Sequence, residues 1–229
     1  MKKISSIVFV CCLSIVSLCA QTTQKRSVGS FNSIDVCCGI QVLLTEGSSS
    51  SVTVEANSNI ISDVKTEVKG RTLNISFNNQ RNKNNKGKIV VHVTAKDIEK
   101  LDSGSGSKIE GTNTINAGNI KLNVNSAGQI NLDLKANDVV CNGNSAGTIT
   151  LRGEAVSVKA SNNSASSFNL KGFQTTNADI STNSGASVDI TVKSEIKAHA
   201  NSGAHVRYYG NPSKTDISSN SGASVKRAQ

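Results

Sequence analysis

The chain has 229 residues and a formal net charge of +9, with 3% aromatic residues, a single Pro and no Trp. A compact globule of this length normally holds more large apolar side chains, so an elongated, repetitive core is expected instead. With so few aromatics and no basic helix, the positive charge does not describe a nucleic-acid surface; most Lys and Arg alternate with apolar residues, as on the solvent face of strands.

Residues 1–20 form the pattern of a secretory signal. Lys2 and Lys3 precede an apolar stretch from Ile4 to Leu18 that is too short to span a bilayer comfortably, and Cys19-Ala20 offers a small-residue exit. Cleavage after Ala20 is favoured over a lipid anchor at Cys19, because Leu18 is bulky where a lipoprotein signal needs a small residue. The mature chain then carries 23 basic and 16 acidic residues, a balance that suits an anionic envelope component. No second apolar run is long enough for a transmembrane span. The expected location is therefore exported: periplasm, outer-membrane surface or extracellular.

Three of the six cysteines lie in this leader, leaving Cys37, Cys38 and Cys141. An odd number cannot pair completely within one chain. A bridge from Cys37 or Cys38 to Cys141 stays open beside the reading that each is a small buried hydrophobe. His92, His199 and His205 do not stand at ligand spacing with any Cys, so no metal and no cofactor is expected.

After a polar leader at 21–27, period-two alternation marks strands at 33–36, 39–45, 51–56, 72–77 and 88–94. Turn clusters separate them at 46–48, 69–71 and 78–87, and Ile60–Val64 allows one helical turn. Arg81, Lys83 and Lys86 in the 78–87 loop, with Lys88 just after it, make a basic tip, read as a hairpin tip in preference to an anion site.

From 102 onward a repeat takes over. Asn125-Ser126-Ala127-Gly128 returns at Asn144, Asn163, Asn183, Asn201 and Asn220, at intervals of 19, 19, 20, 18 and 19. Each copy leads into alternating apolar residues, such as Ile130 and Leu132 or Val188 and Ile190. A second apolar cluster follows, including Val139-Val140, Val156, Val158, Ile180, Ile196 and Ile217. This spacing predicts an all-β parallel β-helix, or β-solenoid, right-handed, with rungs of about 19 residues. Six rungs would make a rod of about 29 Å. The domain division expected is a signal at 1–20, an N-terminal strand part at 21–101, and a repeat solenoid at 102–229 continuous with it. Cys37-Cys38-Gly39-Ile40 has the same small-then-alternating form as the repeat. Gly, Ala and Ser suit sharp turns, and the six Asn are expected to stack as an amide ladder from rung to rung.

A solenoid aligns outward residues in columns: Asn131, Thr150, Asn169, Asp189, Arg207 and Lys226 form one. The isolated positions of Asp133 and Asp189, three rungs apart, do not make the paired carboxylates of a pectin-cleaving β-helix, and no hydrolase elbow, zinc motif, phosphate loop or calcium nonapeptide is present. The densest chemical patch is His205, Arg207 and Tyr209, which alternate on one strand and suit stacking on a sugar.

The run Phe31-Asn32-Ser33-Ile34-Asp35-Val36 leading into Gly39-Ile40-Gln41-Val42, then Val52–Asn57, Leu73-Asn74-Ile75 and the Asn-Ser-Gly-Ala copies, resembles the head GIN domain family, exported proteins of Bacteroidetes-type bacteria provisionally named auto-transporter adhesins. The double Cys before Gly39 departs from the small polar residues of that pattern. The resemblance implies a β-helical envelope protein and brings no catalytic residues with it. The function expected is a non-catalytic adhesion or binding module for glycans or envelope components; the alternatives are a pectinase-like enzyme or a purely structural envelope protein.

Overall fold

A computed structural model describes residues 21–78 and 87–229; the expected signal and the tip residues Arg81, Lys83 and Lys86 lie outside the described residues. Strands make up 67% of the structure, in a parallel stack of about seven turns with rungs about 19 residues apart. The one helical piece among the described residues is a 3-10 turn at Ile61–Asp63, inside the segment expected to hold it.

The repeat builds β10 (Ile115–Val124), β11 (Gln129–Gly143), β12 (Thr148–Asn162), β13 (Ser167–Thr182), β14 (Ser187–Ala200), β15 (His205–Tyr209), β16 (Lys214–Ser219) and β17 (Ser224–Arg227). Each lies parallel to its neighbour, one repeat out of step: Ile130 faces Ile149 and Leu132 faces Leu151. Each long strand runs along one face of the coil, bends, and returns along the other. The Asn-Ser turn then carries the chain to the next rung. The uneven intervals of 20 and 18 are absorbed at the bend, where the register slips between Thr150 and Gly153 and again between Leu170 and Gln174. Phe173, inside that bulge, is fully buried, so the extra length is packed inward.

The N-terminal part joins the same stack. Its strands are β1 (Gln21–Arg26), β2 (Ser33–Val36), β3 (Gln41–Glu46), β4 (Ser51–Asn57), β5 (Val64–Lys69), β6 (Thr72–Phe77), β7 (Val90–Ala95), β8 (Lys100–Ser103) and β9 (Lys108–Gly111). Strands β2 and β3 form a rung of their own, parallel to β8 and β9. The structure departs from a purely parallel solenoid beyond that rung: β5 pairs antiparallel with β6, and β4 pairs antiparallel with both β7 and β1. These hairpins cover an edge that would otherwise present unpaired backbone groups.

One continuous core runs the length of the stack, and it is built as columns. Ile34, Leu101, Leu122, Cys141, Ala160 and Ile180 succeed one another on one face, and Val42, Ile109, Ile130, Ile149, Phe168 and Val188 on the other. Burying each large aliphatic side chain is worth about 1.5–3 kcal/mol. Cys141 is a fully buried member of the first column, and burial pushes its thiol up to about 12. Cys37 and Cys38 lie three strands further along the stack, at the first turn, with their sulfurs 2.6 Å apart. Val156, which the sequence pattern grouped with the inward residues, is 52% exposed: the ladder skips it between Ala155 and Ser157, and this break in the period-two alternation leaves Ala155 and Val158 as the inward residues.

The turn itself has a defined geometry. Ser126 and Ala127 both adopt positive φ, at 49° and 60°, and the Gly128 N–H donates to the Asn125 carbonyl at 2.9 Å, which defines a type I′ turn. Ser145-Ala146, Ser164-Ala165 and Ser184-Gly185 repeat it, and Cys38-Gly39 does so at the first rung. The order Ala-Gly changes to Gly-Ala along the stack for a steric reason. A Cβ added at Gly128 would meet the Ser103 carbonyl oxygen at 2.0 Å, and one at Gly147 would meet Val124 at 2.7 Å. Later rungs accommodate Ala186 and Ala204 at that inward position, both fully buried.

Ala146 and Ala165 thus hold a left-handed conformation that disfavours any Cβ, whereas Gly203 occupies the same position, at φ 70°, with open space around it. Ala146→Gly or Ala165→Gly should each raise stability by about 0.5–1 kcal/mol, and Gly203→Ala should lower it by a similar amount. Urea-unfolding midpoints check both signs; alanine proving equal or better at these positions would contradict the assigned turn type.

Candidate functional site

On the face that carries β15, outward side chains stand at every second residue, and His205, Arg207 and Tyr209 are brought together there as the alternation requires. Their polar tips are engaged within the protein. Arg207 donates through Nε and Nη2 to the two Asp189 carboxylate oxygens, at 2.6 and 2.7 Å. Asp189 thereby holds the guanidinium even more firmly in its charged form. The Lys171 ammonium lies 4.4 Å from the centre of the Tyr209 ring, and His205 Nδ1 is 2.9 Å from Ser224 Oγ. A sugar stacking on Tyr209 would have to displace Lys171.

The six repeat asparagines, Asn125, Asn144, Asn163, Asn183, Asn201 and Asn220, all occupy the first position of a turn, and all but the half-buried Asn183 are exposed. The side-chain oxygens of Asn144, Asn163 and Asn201 accept from the backbone N–H of the serine that follows, at 3.0, 2.9 and 2.9 Å. An amide contact between rungs is found two residues upstream: Asn142 Nδ2 donates to Asn123 Oδ1 at 2.8 Å, and Asn123 donates in turn to Asp102.

A further asparagine, which the repeat pattern did not single out, is structurally deeper. Asn162 is 2% exposed; its Nδ2 donates to the carbonyls of Ser187 at 2.7 Å and Ser166 at 3.2 Å, and its Oδ1 accepts from the Ser166 hydroxyl. Its signal in the sequence was positional only, since alternation points it inward where other rungs place Val124, Gly143 or Ala200.

Carboxylates on the repeat rungs face cations on the neighbouring strand, as in Lys135–Glu154 at 3.1 Å and Arg152–Asp133 at 3.8 Å. The first rungs differ. Asp35 and Asp102 are register partners on β2 and β8, a side-by-side carboxyl pair that linear spacing, 67 residues apart, concealed. Burial and then the charge of Asp102 raise the Asp35 pKa above its ordinary 3.8, with Lys100 opposing. Asp102 pairs with the Lys100 ammonium at 2.6 Å and accepts from the Asn123 amide. Asp35, though not Asp102, lines a groove of about 430 Å³ together with Lys65, Glu67, Lys69 and Asn74. Among the described residues no group of three or more His, Cys, Asp or Glu is placed to hold a metal ion.

These features define a class: a parallel β-solenoid with polar, column-forming faces and an antiparallel cap. Within that class, the chain belongs to the family described as "Putative auto-transporter adhesin, head GIN domain", whose model matches residues 30–212. Similar solved structures include a putative adhesin from Bacteroides fragilis, at 16% identity and TM-score 0.82, covering 91% of this chain and 97% of that one. A protein from Parabacteroides distasonis described as a putative lipid binding protein aligns at 14% identity and TM-score 0.72, with the same coverage. A putative adhesin from Parabacteroides merdae aligns at 16% identity and TM-score 0.71, covering 91% and 96%. No match is found among curated proteins. At such identities these likenesses speak for the fold.

Two predictions follow the geometry. Asn162→Ala should cost about 1–3 kcal/mol, because it strands buried partners, while Asn163→Ala, exposed and bonded to one backbone N–H, should cost about 0.5 kcal/mol; equal unfolding midpoints for the two variants would refute this ranking. The folded chain holds the Asp35 proton more tightly than the unfolded chain does. Stability is therefore lost as pH rises from 3.8 through the raised value. Asp35→Asn should melt higher than wild type at pH 7 and close to it at pH 3, as followed by circular dichroism.

Proposed function

We propose that this chain is a non-catalytic binding module of the cell envelope that adheres to a glycan or another envelope component. Membership of an adhesin-named family over most of the chain carries the reading. Two structural features support it. The repeat carboxylates are tied to neighbouring cations rather than poised in pairs, and the stack offers long, regular columns that suit a repetitive ligand. The protein described as lipid binding, with the same fold, widens the candidate partners to lipid headgroups, which the basic balance of the chain would favour. Export rests on the pattern at residues 1–20, with Cys19 lipidation as the lesser route to the envelope.

A second reading draws on Asp35 and Asp102. Two neighbouring carboxyls, one with a raised pKa and the other paired with Lys100, form the kind of arrangement a glycosidase uses for its acid and its base or nucleophile, and the groove lined by Asp35 supplies space for a chain.

A glycan-array screen of residues 21–229, with product analysis on each hit, separates the two. Binding with the oligosaccharide recovered intact is the expected result. Shortened products, abolished by Asp35→Asn or Asp102→Asn, would overturn it in favour of the enzyme.

A further inference from the structure

The turn edge of the solenoid is unusual for what it lacks. Segments 123–129, 142–148, 161–167, 181–187, 199–205 and 218–224 contain no Asp, Glu, Lys or Arg, in a chain that is 18% charged. Turn geometry demands small residues at the two left-handed positions. It makes no demand on the outward strand position two residues before each turn, yet that position reads Asn123, Asn142, Ser161 and Ser181 on successive rungs. Stacking in register at about 4.8 Å does not forbid charge either. The very next outward column holds Lys121, Lys159, Asp179 and Lys197. Charge is therefore excluded from this column from Asn123 onward, and appears only at its start, at Asp35 and Asp102.

The edge is also concave. Asn123, Asn142, Ser161 and Ser181 form one wall of a groove of about 450 Å³, and the turn asparagines of the same four rungs form the other. Its hydrogen-bonding groups are partly set in place. The relay from Asn142 through Asn123 to Asp102 leaves the Asn142 carbonyl oxygen as an acceptor at the groove. Asn144 and Asn163, whose oxygens are held by backbone N–H groups, turn their NH₂ donors outward.

We propose that this groove binds an extended, uncharged glycan lying along the solenoid axis, an assignment that rests on the envelope-binding reading above. Neutral sugars are recognised by amides and hydroxyls that both donate and accept, and a charge-free site gives an anionic polymer no ionic attraction. The rung spacing offers one set of these groups for roughly each sugar residue. With no aromatic platform on the edge, each rung contributes little, and affinity accumulates over several rungs.

The test is titration calorimetry on residues 21–229 with cello-oligosaccharides and malto-oligosaccharides of increasing length, α-mannan, and polygalacturonate as the acidic control. At least one neutral series should bind, more tightly with each added sugar up to about four to six, and with little change between 50 and 500 mM NaCl. Asn144→Lys and Ser161→Lys should each weaken that binding tenfold or more, while Gln174→Lys, which adds the same charge at the opposite bend, should not; matching melting curves show that all three fold. Neutral-glycan binding unchanged by the edge variants would overturn the site while leaving the envelope-binding reading standing. Binding of polygalacturonate alone, lost at high salt, would overturn the neutral class in the same way. Silence towards every polymer, with capture by anionic phospholipid vesicles instead, would replace the glycan with a lipid surface.

Discussion

The structure depends on one backbone contact, repeated from turn to turn. In each tight turn the N–H of the third residue donates to the carbonyl of the second residue in the next turn: Gly39 to Ser105, Gly106 to Ser126, Ala127 to Ser145, and so on to Gly203 and Ser221, all at 3.0 to 3.1 Å. This bond is available only because both central residues are left-handed, which turns the peptide group along the stack axis instead of into solvent. The turns are thus hydrogen-bonded as continuously as the strands, and the corner of the coil, where a solenoid would otherwise expose unpaired backbone, becomes part of the ladder.

Fixing the turns fixes the register, and the register turns repetition into columns. An inward column must be apolar or internally satisfied along its whole length, which is why Cys141 is tolerated between Leu122 and Ala160 and why Asn162 needs three hydrogen bonds. An outward column brings like positions together at the distance of one strand. Where charges occur they tend to complement across rungs, as Asp189 and Arg207 do; where they do not, the surface is uniformly amide and hydroxyl. The two kinds of outward surface offer a partner different chemistry, and the neutral one is also the groove.

The fold was legible in the sequence to an unusual degree because a period of about 19 residues with alternating apolar positions has few other physical solutions. Even the first turn, Cys37 to Ile40, showed its kinship before its pairing was known. The antiparallel cap was not legible: β4 and β5 alternate just as the parallel strands do, and direction leaves no mark on alternation. The candidate sites were less readable. His205, Arg207 and Tyr209 do share a strand face, but their engagement by Ser224, Asp189 and Lys171 depends on which residues lie on the rungs to either side.

By itself the sequence determined the period, the inward and outward alternation and the places where only Gly, Ala, Ser or Asn fits, because these are local demands of the backbone. Membership of an adhesin-named family was visible in the same residues. The tertiary structure decided what lies beside what: that Asp35 meets Asp102, that Asn162 rather than the repeat asparagines is buried, and that four of the uncharged segments line one groove. Those facts depend on stacking register and on bulges such as the one around Phe173, which shift neighbours by a residue or more and leave the pattern along the chain almost unchanged.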